Sequence, residues 1–221
     1  MRSKFFETNV TLDHNPAKKR LAIPGPGRKD LMKPTMSLAS KFEHITPDEF
    51  LQAEISADAK HEYVDGRVYA MVGASNAHNR IASRVLGSFG GQLAGSPCEA
   101  LNSDVKVRVR SNSRTYFYYP DAMVVCESNP DSDHFQDQPV VIIEVISEST
   151  RRTDEGEKRQ NYLTIPSLHH YLLLEQDRPA ARVFSRMTGD EFEERSLSGI
   201  DSVIDLKPLN AQLRLADLYQ T

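Results

Sequence analysis

Long apolar runs are missing from this 221-residue chain. With them goes any stretch able to span a bilayer as a helix or to resemble a secretory leader. Cysteine is scarce: Cys98 and Cys126 are the only two. That is too few for a disulfide framework, and both read as structural thiols, Cys126 within a core strand. Positive charge is not in excess, since 27 Lys and Arg stand against 31 Asp and Glu for a net charge of −4. The balance argues against a protein whose main task is to sequester nucleic acid. It leaves room for an enzyme that meets a phosphodiester through a local basic patch. Internal repeats are absent too, which removes solenoids and propellers. The expectation is a soluble, cytoplasmic protein with no membrane partner, long enough for one sizeable core and an appendage.

The appendage is residues 1–40, read as a flexible basic tail. It carries Lys18-Lys19-Arg20 and Pro24-Gly25-Pro26-Gly27-Arg28-Lys29 with little apolar periodicity. Met36 is an alternative start, and a targeting peptide is a third reading. Residues 41–221 form the folded domain. Thr46-Pro47-Asp48-Glu49 is a helix start with a capping box. His61 to Val64 and Arg67 to Val72 read as a hairpin about Asp65-Gly66. Ser75 to Leu93 has helical periodicity through Ile81, Val85, Phe89 and Leu93. Asp104 to Arg110 alternates, with Val105, Val107 and Val109 on one side and Lys106, Arg108 and Arg110 on the other. Further strands are expected at 115–119, 170–175, 180–187 and 191–197. Asp154 to Thr164 is helical, with Asp154, Lys158 and Tyr162 on one face. This order of elements predicts one α/β domain with a mixed central β-sheet flanked by helices.

Two buried strands carry the chemistry. Tyr119-Pro120-Asp121-Ala122-Met123-Val124-Val125-Cys126 and Val140-Val141-Ile142-Ile143-Glu144-Val145-Ile146 are β-branched, apolar runs suited to burial on both faces. Each holds one carboxylate, Asp121 or Glu144, which is costly there unless a cation compensates it. On adjacent strands the two would converge on one divalent ion. Mg²⁺, or Mn²⁺ in its place, takes one or two carboxylates plus water and substrate phosphate, and the Val145 carbonyl can add an oxygen. Such an ion polarises a phosphoryl oxygen and makes water nucleophilic near neutral pH. Lys158, from the helix after the Glu144 strand, is the candidate to position that water and offset charge in the transition state.

The same residues carry a family resemblance. The ordered set is Glu62-Tyr63-Val64-Asp65-Gly66, Ser75 with His78, Tyr119-Pro120-Asp121, and Glu144 through Thr150. It continues in Asp154, Lys158 and Tyr162, then Pro166-Ser167-Leu168 and Tyr171. From Glu62 to about Arg186 the chain resembles the Uma-two family of restriction-endonuclease-like proteins, within the PD-(D/E)XK nuclease superfamily. The resemblance implies a restriction-endonuclease-like core with Asp121 and Glu144 as metal ligands. By analogy it also implies a homodimer that hydrolyses DNA. One position departs. The superfamily places lysine two residues after the acid, where this chain has Ile146; the Uma-two-like pattern supplies Lys158 from the next helix instead. The rival expectation is an inactive nuclease-fold scaffold that binds nucleic acid or a protein partner.

Several residues keep two readings. Asp121 is a metal ligand or a strand-start residue satisfying nearby backbone. Glu144 is a ligand or half of a buried ion pair with Arg151 or Lys158. Lys158 is catalytic or an i,i+4 companion of Asp154. Glu62 is an extra metal or water ligand or a surface glutamate. His78 contacts phosphate or caps a turn, and Asp104 joins the site or ends a strand. Lys106, Arg108 and Arg110 are a DNA track or a solvated sheet face. Tyr116 to Tyr119 packs the sheet or stacks bases.

Overall fold

The computed structural model describes residues 44–220. The expected basic tail, its boundary at residue 40 and the alternative start at Met36 lie outside them. Thr46 caps helix α1 (Pro47–Glu54) as its sequence demands: its Oγ1 accepts from Glu49 N–H while Glu49 Oε2 accepts from Thr46 N–H. The single buried residue of α1, Phe50, meets Tyr63, Phe117 and Phe135 in a small aromatic core. Strands β1 (His61–Val64) and β2 (Arg67–Ala70) pair through the two-residue turn Asp65-Gly66. Both turn residues have positive φ, 46° and 91°, the geometry that matches strand twist in a tight hairpin. A Cβ on Gly66 would also meet the exposed His44 ring, which would have to swing aside.

Helix α2 (Asn76–Gln92) follows, then β3 (Glu99–Asn102), β4 (Lys106–Ser111), β5 (Arg114–Tyr118), β6 (Ala122–Val125), β7 (Phe135–Gln136) and β8 (Pro139–Ile146). A helix over 151–162 leads to β9 (His170–Glu175), β10 (Ala180–Arg186) and β11 (Phe192–Ser198). The described chain ends in β12 (Val203–Leu206), β13 (Ala211–Arg214) and the short helix Leu215–Leu218.

The fold is α/β as expected, but the strands do not form one central sheet. They divide into a five-stranded sheet, β2-β1-β5-β4-β7, a six-stranded sheet, β11-β10-β9-β8-β6-β3, and the ribbon β12-β13. Both larger sheets are mixed, with β4 parallel to β7 and β8 parallel to β9. The β7 pairing falls inside a segment that reads as polar loop, and two residues are too few to leave a periodic signal.

Alternation along β8 explains the layers. Val141, Ile143 and Val145 face one core with Ile81, Ala82, Val85 and Phe89 of α2. Ile142 and Ile146 face the opposite core, with Val107, Val109, Tyr116 and Tyr118 of the other sheet. Both faces of β8 are therefore covered, which is why its sequence is a continuous apolar run. Glu144 shares parity with Ile142 and Ile146 and so points into the layer between the two sheets.

The cysteines correct an expectation. They are bonded to each other rather than free. The β3–β6 register pairs Glu99 with Val125, which sets Cys98 and Cys126 across from one another just beyond the strand ends.

Arg151 ties the start of the 151–162 helix to the end of β9, donating to both Glu175 oxygens at 2.9 and 2.6 Å. These bonds hold the Glu175 carboxyl below its usual range. Stability from a depressed carboxylate is present above its unfolded pKa, about 4.3, and is lost as pH falls through the folded value. Arg151→Ala is therefore expected to be less stable than wild type at pH 7. The two acid-unfolding curves, followed by circular dichroism, should converge at low pH.

Candidate active site

Asp121 directly precedes β6, whose first residue, Ala122, pairs with Ile143, the residue before Glu144 on β8. Both carboxylates line a cleft of about 750 Å³, together with Glu62, His78, Val145, Asp154 and Lys158. Its walls come from residues 69–75, running from β2 to the α2 cap, and from the 147–153 turn after β8.

Asp121 is held at both oxygens. Oδ2 accepts from the Val145 N–H at 2.7 Å, and Oδ1 lies 2.8 Å from His78 Nε2. Glu144 is 3% exposed; its Oε1 accepts from the Tyr162 hydroxyl at 3.1 Å and from Lys158 Nζ at 3.3 Å. Lys158 also reaches Glu62 at 2.8 Å and Asp154 at 3.6 Å. Glu62 gets there because its strand neighbour Tyr63 turns into the aromatic core, leaving residue 62 to face the cleft.

The helix that delivers Lys158 is not uniform. Its central turn, Asp154–Lys158, is π-helical, between α turns at Arg151–Thr153 and Arg159–Tyr162. Asp154, Lys158 and Tyr162, which their i, i+4, i+8 spacing puts on one face, are all buried, although the wider turn has no sequence signature. Such turns are frequent at functional sites. Tyr171 braces this one, its hydroxyl donating to the Asp154 carbonyl at 3.0 Å.

Glu62, Asp121, Glu144 and Asp154 bring four carboxylates to the cleft, three of them within reach of Lys158, and Lys60 is the other lysine that lines it. Fully ionised, the carboxylates would outnumber the lysines. Burial, reinforced by the neighbouring carboxylates, pushes Glu144 well above the usual carboxylate range, and Lys158 only partly opposes it. Asp154 is raised for the same reason. Lys158 is pulled toward neutrality by burial, but its three carboxylates prevail and hold it charged. An added cation would favour the charged form of these carboxylates. Among the described residues, no three His, Cys, Asp or Glu side chains converge as a ready metal cage. The donor set instead suits a hydrated ion resting on two carboxylates, Asp121 and Glu144, a common arrangement for Mg²⁺. The Val145 backbone borders the same space.

The remaining candidates separate. Asp104 is exposed outside the cleft, where it pairs with Lys60. The basic stripe does not run as one surface. Lys106 is only 5% exposed and lies beside the Tyr119 ring, Arg108 is locked to Asp137 at 2.6–2.7 Å, and Arg110 alone is exposed. Alternation placed them on one side of β4 correctly, but that side is largely covered. Tyr116 and Tyr118 are core residues, and Tyr119 donates to Glu54 at 2.9 Å. Lys60, Ser147, Ser149 and Gln176 also line the cleft. Ser147 and Ser149 fall within the Glu144–Thr150 stretch of the family resemblance, whereas nothing in the local sequence marks Lys60 or Gln176, which distant segments bring to the cleft. Among the described residues no helix is long and apolar enough to cross a membrane.

Comparison with known proteins bears on the family and the fold. The Uma2 family profile, described as "Putative restriction endonuclease", matches residues 47–216. An uncharacterized protein of Synechocystis is 38% identical over 139 residues, covering 62% of this chain and 72% of that one. A second from the same organism is 33% identical over 144 residues, covering 64% and 80%. In three dimensions the chain is similar to a crystal structure from Anabaena variabilis titled a "putative nuclease belonging to DUF820". The TM-score is 0.63 at 17% identity, over 79% of this chain and 97% of that one. A likeness at that identity establishes the fold, a nuclease-like one. The chain belongs to the Uma2 family.

Proposed function

We propose that this protein is a Mg²⁺- or Mn²⁺-dependent endonuclease that hydrolyses phosphodiester bonds in DNA. The observation that carries the reading is that Asp121 and Glu144 line one cleft together with Glu62, Asp154 and Lys158. In this reading Asp121 and Glu144 hold the cation, with the Val145 carbonyl as a third oxygen. The cation, when bound, supplies polarisation of a phosphoryl oxygen and a more acidic water. Asp121, fixed at both oxygens, presents a carboxylate of set orientation. Lys158 stays protonated and supplies positive charge beside the phosphoryl oxygens as charge builds on them. Glu62 and Asp154 hold the ammonium in place. Tyr162 keeps Glu144 Oε1 from turning away. The family analogy extends the reading to a homodimer.

In this reading cleavage requires the metal. Supercoiled plasmid and labelled oligonucleotides incubated with purified protein and Mn²⁺ are expected to be cut, and EDTA is expected to prevent it. Absence of cleavage on every substrate would favour the second reading, a catalytically silent scaffold. One observation supports that reading: Lys158, the only lysine offered in place of Ile146, is held by three carboxylates within 3.6 Å.

A further inference from the structure

We propose that His78 is a positioning residue for the cation site, acting through a hydrogen bond that fixes the plane of the Asp121 carboxylate. The inference rests on the reading of Asp121 as a metal ligand and adds a role for a side chain on a different element. His78 Nε2 lies 2.8 Å from Asp121 Oδ1. An ionised carboxylate has no hydrogen to give, so Nε2 is the donor. The second oxygen is fixed by the Val145 N–H, and between them the two donors stop rotation about the Cβ–Cγ bond of Asp121.

His78 is itself held. Its backbone N–H donates to Ser75 Oγ, the N-cap of α2, at 3.2 Å. The Ser75 hydroxyl in turn donates to Gln176 Oε1 at 3.1 Å, just past the end of β9. Ile81, Ala82, Val85 and Phe89 of α2 pack on Ala122 and Val124 of β6 and on Val141 and Ile143 of β8. Those two strands carry the acids, so the donor and the carboxylate it orients are parts of one packed unit. The side chain of His78 is 12% exposed at the cleft wall, which shields the bond from water. Residues that orient a ligand from outside typically contribute 10- to 100-fold in metal affinity.

The test is Mn²⁺ binding by the full chain, measured by calorimetry and by the electron paramagnetic resonance signal of free Mn²⁺. Wild type is compared with His78→Ala, His78→Phe and His78→Gln, after thermal melts in EDTA have shown that each is folded. His78→Ala and His78→Phe are expected to bind about 10- to 100-fold more weakly. His78→Gln, whose amide N–H can reach the same oxygen, is expected to recover most of the loss. Equal affinity in all four proteins would overturn the proposal while leaving the cation site intact. Gln as weak as Ala would overturn it too, since the hydrogen bond would then not be the cause. A wild type that binds no Mn²⁺ is a different failure, of the cation site itself, and takes this inference with it.

Discussion

Glu144→Gln is expected to lower metal-dependent DNA cleavage by about 1000-fold or more while leaving the fold intact. The loss follows from removing one of two carboxylates under the cation, whose polarising effect amounts to several kcal/mol of barrier at about 1.4 kcal/mol per tenfold. The retained stability follows from where Glu144 sits. It is 3% exposed and its pKa is raised by burial. A carboxyl with a raised folded-state pKa contributes its full stability below the unfolded value, about 4.3, and loses it as pH rises through the folded one. Glutamine never ionises and is spared that loss. Its amide oxygen can still accept from Tyr162, while Lys158 keeps Glu62 and Asp154. Chemical denaturation at pH 7 should show the variant equal to or more stable than wild type. A matched loss of activity and stability would make Glu144 a structural group instead.

Lys158→Met should do the reverse. Lys158 is 7% exposed and its ammonium lies among Glu62, Glu144 and Asp154. Removing it leaves buried carboxylates facing one another, a change that costs about 3–5 kcal/mol where one member of a buried pair is deleted. For a domain of this size that corresponds to a fall of roughly 10 °C in Tm. The decisive feature is how metal acts on it. A cation entering the variant replaces lost positive charge, so 1 mM Mn²⁺ should raise the Tm of Lys158→Met by more than it raises that of wild type. An equal shift in both proteins would show that the cation and Lys158 do not share one electrostatic field.

The acids were legible because a lone carboxylate in a buried β-branched run has few explanations. Their strands, β6 and β8, are neighbours in one sheet, and both side chains line the same cleft. Lys158 was legible through its spacing from Asp154 and Tyr162. The π turn beneath it was not, because a change in helical winding leaves apolar and polar positions almost unaltered. The division into two sheets was also hidden. Alternation in β4 shows which residues share a side but not what covers that side, so Lys106, Arg108 and Arg110 read as a surface although Tyr119, Phe135 and Asp137 cover the first two. Cys98 and Cys126 became neighbours only once β3 existed, and the four residues Glu99–Asn102 give too short a pattern to foresee it. His78 showed its capping-turn context through Ser75. Its bond to Asp121 spans 43 residues of sequence and belongs to tertiary packing.

Every role assigned above depends on a cation lying between Asp121 and Glu144. Anomalous X-ray scattering from a crystal soaked in Mn²⁺ tests this directly. The account predicts one strong peak in the cleft, about 2.1 Å from a carboxylate oxygen of each residue. A cleft without a peak, or a peak held by other side chains while Asp121 and Glu144 keep only their protein contacts, would contradict it.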